Sequence, residues 1–319
     1  MSTMPKVNIL LSTYNGENYL ATQLDSLLAQ TYENIDIYIR DDGSTDETLA
    51  IINSYIKKSY IANTHPIILL DNSQKENFGY MKSFWTLLSE SAPADYYAFC
   101  DQDDFWLPDK VKAGVQTLEK EDASLPLLYS SSFTYCDENM NFTGNPVIPS
   151  YNKAGSQVGP LLRDNLFYTP AFGFTVLINK TLKDIAFSAS SLENIPHDGW
   201  CEKIAASMGK FIYDPVQSAK YRRHSSTVTY ANSDKLQMIA KWVKNDIFGI
   251  GLSEYHFVLK RFYEEYQNRL DTDSLHLLNI FKEQRMTLPL YFKRLFFPKR
   301  LRPSLGGELA LRLCFFLNK

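Results

Sequence analysis

Cysteine is scarce in this chain of 319 residues: four stand at positions 100, 136, 201 and 314, and no two form a Cys-x-x-Cys pair. That spacing suggests neither a zinc ribbon nor a disulfide framework, and it is the usage expected of a reducing compartment. Glycine and proline number 14 each, too few for a collagen-like or linker-rich chain. No stretch approaches the ~18 consecutive apolar residues of a spanning helix. The apolar run at 7–11 is too short for the core of a secretory leader, and no basic segment precedes it. The expectation is a cytoplasmic protein that touches a membrane rather than crossing it.

Glycine-rich phosphate cradles are missing too. There is no Gly-x-x-x-x-Gly-Lys-Ser/Thr and no Gly-x-Gly-x-x-Gly after the first strand-like run, while Gly249-Ile250-Gly251 is incomplete. The Asp-x-Asp-x-Thr pattern of an aspartyl-phosphate hydrolase is also absent near that run. Any phosphate must therefore be held by side chains and a metal.

Aromatic residues are abundant: 20 Phe, 20 Tyr and 4 Trp, in a chain that is 45% hydrophobic and 22% charged. These are the proportions of a globular protein of roughly one or two domains, with rings to fill a core or line a site. Net charge is −3, but it is unevenly spread. Residues 282–319 hold nine Lys or Arg against two Asp or Glu, a balance of +7 that leaves −10 for the rest. The tail is a separate electrostatic object.

The first hundred residues alternate short apolar runs with helical patterns, the signature of βαβ units around a mostly parallel sheet. Strands are predicted at 7–11, around Ile35, Ile37 and Ile39, at 67–70 and at 96–100. Between them Leu20, Leu24, Leu27 and Leu28, then Leu49, Ile52 and Ile56, then Met81, Phe84, Trp85 and Leu88 follow helical spacing. Ser44 and Glu47 have the spacing of a capping box, which predicts a helix starting directly after the second strand. Farther on, 172–178 reads as a buried strand, 201–208 as a helix ended by Gly209, and 211–214 as a strand. From about 234 the pattern is helical.

Ligands of open α/β sheets bind beyond the carboxyl ends of the strands. Four polar loops fall there: Ser12-Thr13-Tyr14-Asn15, Asp41-Asp42-Gly43-Ser44, Asn77-Phe78-Gly79 and Asp101-Gln102-Asp103-Asp104. The last puts three carboxylates in four residues, which repel one another unless they share a cation. Mg²⁺ and Mn²⁺ take oxygen ligands and complete their shells with substrate phosphates, so a diphosphate substrate fits. The competing reading is an acidic turn that caps the following helix, patterned by Val111, Val115 and Leu118.

Together these loops resemble those of family 2 glycosyltransferases with the GT-A fold, over residues 5 to about 228. The segments Cys100-Asp101-Gln102-Asp103-Asp104-Phe105-Trp106, Pro196-His197-Asp198-Gly199-Trp200 and Tyr221-Arg222-Arg223-His224 look most like bacterial rhamnosyltransferase-type members. The resemblance implies a GT-A catalytic domain at 1–230, donor-binding to about 120 and acceptor-binding beyond, followed by a helical region at 231–319. It implies that Thr13, Tyr14 and Asn15 line the nucleotide, with Thr13 and Asp41 or Asp42 on the base and Asp101 near the ribose. Asp103, in the DXD element, would ligate Mg²⁺ or Mn²⁺. Asn77, Gly79 and Lys82 would lie along the donor's sugar and diphosphate.

Asp198 is the candidate general base, since an acceptor hydroxyl must lose its proton as it attacks the anomeric carbon. An N-cap of the helix that follows is the structural alternative, and the family more often has an aromatic where Gly199 stands. Arg222 and Arg223 could neutralise the leaving diphosphate, and His224 could complete a metal shell. The two arginines cannot be ranked from sequence.

In the tail, Tyr291, Phe292, Phe296, Phe297, Phe315 and Phe316 interleave with Lys293, Arg294, Lys299, Arg300 and Arg302. Cations beside rings suit an anionic membrane surface, with packing onto the catalytic domain as the alternative. Nucleic acid is not expected as a partner, because no binding motif is present and the acidic remainder would repel a phosphate backbone. The expected function is inverting transfer of a sugar, foremost L-rhamnose from dTDP-rhamnose, to a lipid-linked or saccharide acceptor in surface polysaccharide assembly. A UDP-hexose or UDP-N-acetylhexosamine donor is the alternative, and a non-catalytic nucleotide-sugar binding module the rival class.

Overall fold

The computed structural model describes residues 4–71, 76–147, 159–223, 252–284 and 287–317. Among them eight strands form one sheet in the order β3-β2-β1-β4-β7-β6-β8-β5. The strands are β1 (Val7–Thr13), β2 (Ile35–Asp41), β3 (Ile67–Leu69), β4 (Tyr96–Cys100), β5 (Phe105–Trp106), β6 (Leu127–Cys136), β7 (Val176–Asn179) and β8 (Lys210–Arg222). The half built from β1 to β4 is parallel, as the alternating strand and helix patterns predict. β7 runs antiparallel to both β4 and β6, while β6 and β8 are parallel.

Helices α1 (Leu20–Leu28), α2 (Thr48–Ala62), α3 (Gly79–Glu90) and α4 (Lys110–Leu118) follow the early strands. α5 (Lys180–Ala186) and α6 (His197–Met208) precede β8, and α7 (Ser253–Tyr266), α8 (Thr272–Phe281), α9 (Leu288–Leu295) and α10 (Leu305–Phe316) complete the described chain. Register brings the polar loops together. Thr13 pairs with Asp41 across β1 and β2, and Leu11 with Cys100 across β1 and β4, so the loops after three strands leave the sheet side by side.

Both faces of the sheet are buried, as a largely parallel sheet requires. Val7, Ile9 and Leu11 of β1 point into one layer with Leu24, Ile52 and Val115. Leu10 and Phe99 point into the other, which holds Trp85, Trp200, Phe262, Phe281 and Phe315. The C-terminal helices therefore share a core with the sheet. Phe167 meets Phe281 and Phe315 at ring-centroid distances of 5.5 Å each, and burial of each such ring contributes roughly 1.5–3 kcal/mol.

Three local expectations need correction. The spacing of Ser44 and Glu47 is not a capping box: α2 starts at Thr48 without a side-chain cap, and Ser44 Oγ instead donates to Asp41. The run 172–178 splits into a 3₁₀ turn at Gly173–Thr175 and the short β7, because Thr175 donates back to Phe172 through both its N–H and its hydroxyl. The strand at 211–214 extends to Arg222, with irregular pairing opposite Ser131 to Phe133 that keeps Ala219 and Tyr221 in register.

Candidate active site

The first two loops are zipped together. Asn15, in the left-handed region at φ 45°, donates its N–H to Ser44 Oγ at 2.8 Å, while its Oδ1 accepts from Thr45 N–H at 2.9 Å. Gly16 N–H donates to Thr48 Oγ1 at 2.8 Å. Thr13 Oγ1 donates to Asp41 Oδ1 at 3.0 Å, and Asp41 Oδ2 accepts from Gly43 and Ser44 N–H at 3.2 and 2.8 Å. Tyr14 and Asn15 are exposed at the rim.

Asp42 is a scaffold residue. It forms a buried ion pair with Arg40 and accepts the N–H groups of Phe78 and Gly79 at 2.8 Å each. A carboxylate at that helix start complements the dipole of α3. Both oxygens of each aspartate are used inside the protein, those of Asp41 within the first two loops and those of Asp42 on Arg40 and the start of α3, so hydrogen bonding does not rank the two for a nucleobase. Arg40 was not anticipated; it also donates to Ser83 Oγ at 2.8 Å and lies 4.2 Å from the Phe78 ring centroid.

Asn77 Oδ1 accepts from Gly79 N–H at 3.2 Å. Gly79 has φ +73° and open space where a Cβ would stand, so its glycine is a backbone requirement of the turn. Lys82 is exposed, its Nζ 3.5 Å from the Phe78 centroid. The third loop is thus tied to the second through Asp42.

In the acidic loop, Gln102 makes the connection that sequence did not disclose. Its Oε1 accepts Tyr14 N–H and its Nε2 donates to Tyr14 O, both at 2.9 Å. A Cβ at Gly16 would come within 2.3 Å of that Oε1, so the bridge and the glycine go together. Burial, then the Asp103 and Asp198 carboxylates, push Asp101 up to about 7. Asp104 is fully buried and accepts Arg222 N–H at 3.2 Å through Oδ1. Its Oδ2 has no hydrogen-bond partner among the described residues, and burial with Asp103 and Asp101 holds its pKa well above the carboxylate range.

β8 separates the two arginines. The Arg222 guanidinium is buried 4.7 Å from the Tyr19 centroid, with Nε and Nη2 unpaired among the described residues. Arg223 stacks 3.5 Å from the Tyr135 centroid. Arg222 is therefore the cation of the pair that meets the acidic loop. His224 lies outside the described residues.

Asp198 sits in the first turn of α6, half-buried, and the N-cap is Pro196, which removes the alternative reading of Asp198 as that cap. Its Oδ1 accepts Gly199 N–H at 2.7 Å. The Asp198 charge acts on Asp101, Glu202, Lys203 and Tyr80, so this carboxylate, nearly a hundred residues beyond the acidic loop, lies within electrostatic range of it. Glu202, one turn on, is fully buried: Oε1 accepts Ala171 N–H at 2.9 Å and Oε2 is unpaired among the described residues. Burial and then Asp198 push its pKa well up. His197 is wedged between Phe84 and Phe99, with centroids 4.1 and 4.5 Å away, and burial keeps it neutral. Burial, Asp198, Glu254 and Asp101 raise Tyr80, which brings Glu254 of α7 to the same rim. A Cβ at Gly199 would stand 3.7 Å from Thr169 Oγ1 and 3.9 Å from Lys203 Nζ, ordinary contact distances.

A hard cation suits this donor set. Asp101, raised by burial and then by the neighbouring carboxylates, and the orphaned oxygen on Asp104 would both be relieved by positive charge. No group of three His, Cys, Asp or Glu side chains among the described residues is placed to cage an ion. The remaining ligands would have to come from a substrate.

Comparison with known proteins identifies the family and the fold. The model for glycosyl transferase family 2 matches residues 8–163. An uncharacterized glycosyltransferase of Haemophilus influenzae is 30% identical over 271 residues, covering 80% of this chain and 95% of that protein. A UDP-Glc:alpha-D-GlcNAc-diphosphoundecaprenol beta-1,3-glucosyltransferase of Escherichia coli is 28% identical over 261 residues, covering 82% and 92%. Two solved structures share the fold. TarS 1-349 of S. aureus, in complex with UDP-GlcNAc, superposes with a TM-score of 0.58 at 14% identity, covering 98% of this chain and 90% of that one. A mannosyltransferase of Pyrobaculum calidifontis, in complex with GDP-Man and Mn2+, gives 0.54 at 15%, covering 99% and 87%. Fold and loops define a GT-A glycosyltransferase. The chain belongs to the family 2 glycosyltransferases.

Proposed function

We propose that this protein is an inverting hexosyltransferase that moves a sugar from a nucleoside diphosphate to a lipid-linked or saccharide acceptor during surface polysaccharide assembly, such as O-antigen or capsule. The observation that supports this reading is that Asp198, at the start of α6, lies within electrostatic range of Asp101 in the acidic loop. The Asp198 carboxylate accepts the proton of an acceptor hydroxyl as that oxygen attacks the anomeric carbon. The bond from that carbon to the diphosphate breaks, and the nucleoside diphosphate departs with its electron pair. One displacement inverts the centre.

Asp103, with His224, would hold Mg²⁺ or Mn²⁺, which when bound supplies charge neutralisation at the diphosphate. Arg222 adds its two unpaired donors to the same task. Thr13, Tyr14, Asn15 and Asp41 would frame the nucleotide, and Asn77, Gly79 and Lys82 the sugar side. Burial, then the Asp198 charge, raises the Glu202 carboxyl, while Lys203 beside it acts the other way.

Two named similarities favour a uridine nucleotide: the Escherichia coli relative is named for UDP-Glc, and TarS was solved with UDP-GlcNAc. UDP-glucose is therefore the first donor to test. The motifs at 100–106, 196–200 and 221–224 favour dTDP-rhamnose as the second reading. Calorimetric titration with UDP-glucose, UDP-N-acetylglucosamine and dTDP-rhamnose, each with and without Mn²⁺, separates these readings. Metal-dependent binding of one donor supports the site. Binding of none by folded protein contradicts it.

A further inference from the structure

The two last helices are inside out. From 305 to 317 every exposed residue is Leu, Phe or Gly, with Leu305 70% and Leu309 69% exposed and Leu313, Phe316 and Leu317 on the same open side. The charged residues of α10 turn inward instead. Glu308 is buried, accepting the N–H groups of Leu301 and Arg302 at 2.8 and 2.9 Å. A helix at a water-facing surface normally shows the reverse arrangement.

Its partner helix repeats the pattern. Leu288 (71% exposed), Phe292 and Phe296 (71%) stand at i, i+4 and i+8, one stripe along α9 and its C-cap. The two helices form one antiparallel hairpin. Arg312 donates to the carbonyls of Arg294 and Leu295 at 2.7 and 3.0 Å and to those of Phe297 and Lys299 at 3.0 Å each, while its Nε holds Glu308 at 2.7 Å. These bonds satisfy the carbonyl end of α9. Tyr291 hydroxyl donates to Phe316 O at 3.3 Å from the other end. The apolar stripes are thus displayed by a stapled element whose inner face, Leu311, Cys314 and Phe315, is already in the core.

An apolar surface of this extent needs a cover. Lys293, Lys299 and Arg300 are exposed beside it, and the tail around it carries +7 against −10 for the rest of the chain. A second copy of the chain would bring those same cations against themselves. An anionic lipid surface would take both the rings and the charge. α10 has 12 residues, about 18 Å of helix, which is long enough to lie in a leaflet and too short to span one.

We propose that the α9–α10 hairpin seats the enzyme on an anionic bilayer, with Leu288, Phe292, Phe296, Leu305, Leu309 and Leu313 in the acyl boundary and Lys293, Lys299 and Arg300 at the headgroups. This deepens the lipid-linked acceptor reading and rests on it for its purpose, but not for its test. Arg294 is excluded from the lipid contact, since it is buried and donates to Ile280 O and Glu283 O at 2.6 Å each.

The test is flotation of the full chain with vesicles of phosphatidylcholine alone or with about a third phosphatidylglycerol. The account expects flotation with the anionic vesicles, weakened by salt, and at least a tenfold loss of partitioning in Phe292→Ser/Phe296→Ser/Leu309→Gln. Thermal unfolding of that variant should be unchanged, because the three side chains are exposed. Lys293→Gln/Lys299→Gln/Arg300→Gln should lose the preference for anionic lipid while keeping its fold. Absence of flotation in the wild type, or equal flotation by the apolar variant, overturns the proposal. So does a lipid-free dimer that the apolar variant turns into a monomer, since the face would then be a contact between copies. Titration of UDP-glucose, UDP-N-acetylglucosamine and dTDP-rhamnose on the same samples keeps the two readings apart: donor binding without flotation sinks the hairpin alone, and flotation without binding of any of the three sinks the transferase reading alone.

Discussion

Gln102 grips Tyr14 in both directions, its carboxamide accepting the Tyr14 N–H and donating to the Tyr14 carbonyl at 2.9 Å each. This amide ties the loop after β1 to the acidic loop after β4. Because Gly16 leaves room for the amide, its Cβ position lying 2.3 Å from Oε1, glycine at 16 is part of the same device.

Gln102→Ala should therefore raise the donor KM about tenfold with a smaller change in kcat, the loss expected from two hydrogen bonds worth about 1 kcal/mol each at most. Gly16→Ala should act in the same direction by displacing the amide. Steady-state kinetics with a melting curve for each variant checks this. An unchanged KM in both would detach the bridge from donor binding.

Asp42 should behave as a stability residue. Asp42→Ala leaves Arg40 buried without its counter-charge and frees the start of α3, at a cost of about 3–5 kcal/mol. Arg40→Met combined with Asp42→Asn should be milder than Asp42→Ala alone. Urea denaturation measures both, and an undiminished midpoint for Asp42→Ala would contradict the scaffold role.

Asp103→Asn and Asp198→Asn should separate metal from base. The first is expected to lose metal-dependent donor binding with its fold intact. The second should bind donor and metal as the wild type does while kcat falls about 10²- to 10⁴-fold. If Asp198→Asn lost donor binding in step with kcat, the carboxylate would belong to the donor site.

His256 should make the C-terminal helices acid-sensitive. Burial, then the Arg294 charge, lowers its pKa to about 4, and the ring is hydrogen-bonded to Phe281 O at 2.7 Å. Folding favours the neutral ring. Its contribution is complete above the ordinary value of 6.5 and fades as pH falls towards 4, by up to about 1.4 kcal/mol per unit. Urea midpoints between pH 7 and 4 should fall less steeply for His256→Gln than for the wild type.

How far the sequence could lead is clearest at particular residues. The β1 to β4 half was legible because Val7, Ile9 and Leu11 and the leucines of α1 carry their periods openly. The convergence of Asp198 on Asp101 was suggested by resemblance only, since it depends on β6, β7 and β8 packing in non-sequential order. Ser44 misled as a cap because a hydroxyl serves whichever partner the neighbouring loop presents, here Asn15 and Asp41. Gln102 and Glu202 were invisible for the same reason: their importance lies in what the fold sets against them.

In the tail, cations and rings were visible but not their directions. Arg294 and Arg312 are consumed by carbonyls of neighbouring backbone, whereas Lys293, one residue away, is free to face outward. α10 is apolar on both sides, so periodicity did not disclose which leucines meet the core and which meet the outside.

The decisive measurement is of product: the full chain is incubated with UDP-glucose, Mn²⁺ and a diphosphate-linked saccharide lipid, and the anomeric configuration of any new linkage is determined. The account predicts a transferred sugar of inverted configuration, absent with Asp198→Asn although that variant still binds donor. Retained configuration, or equal product from Asp198→Asn, would contradict it.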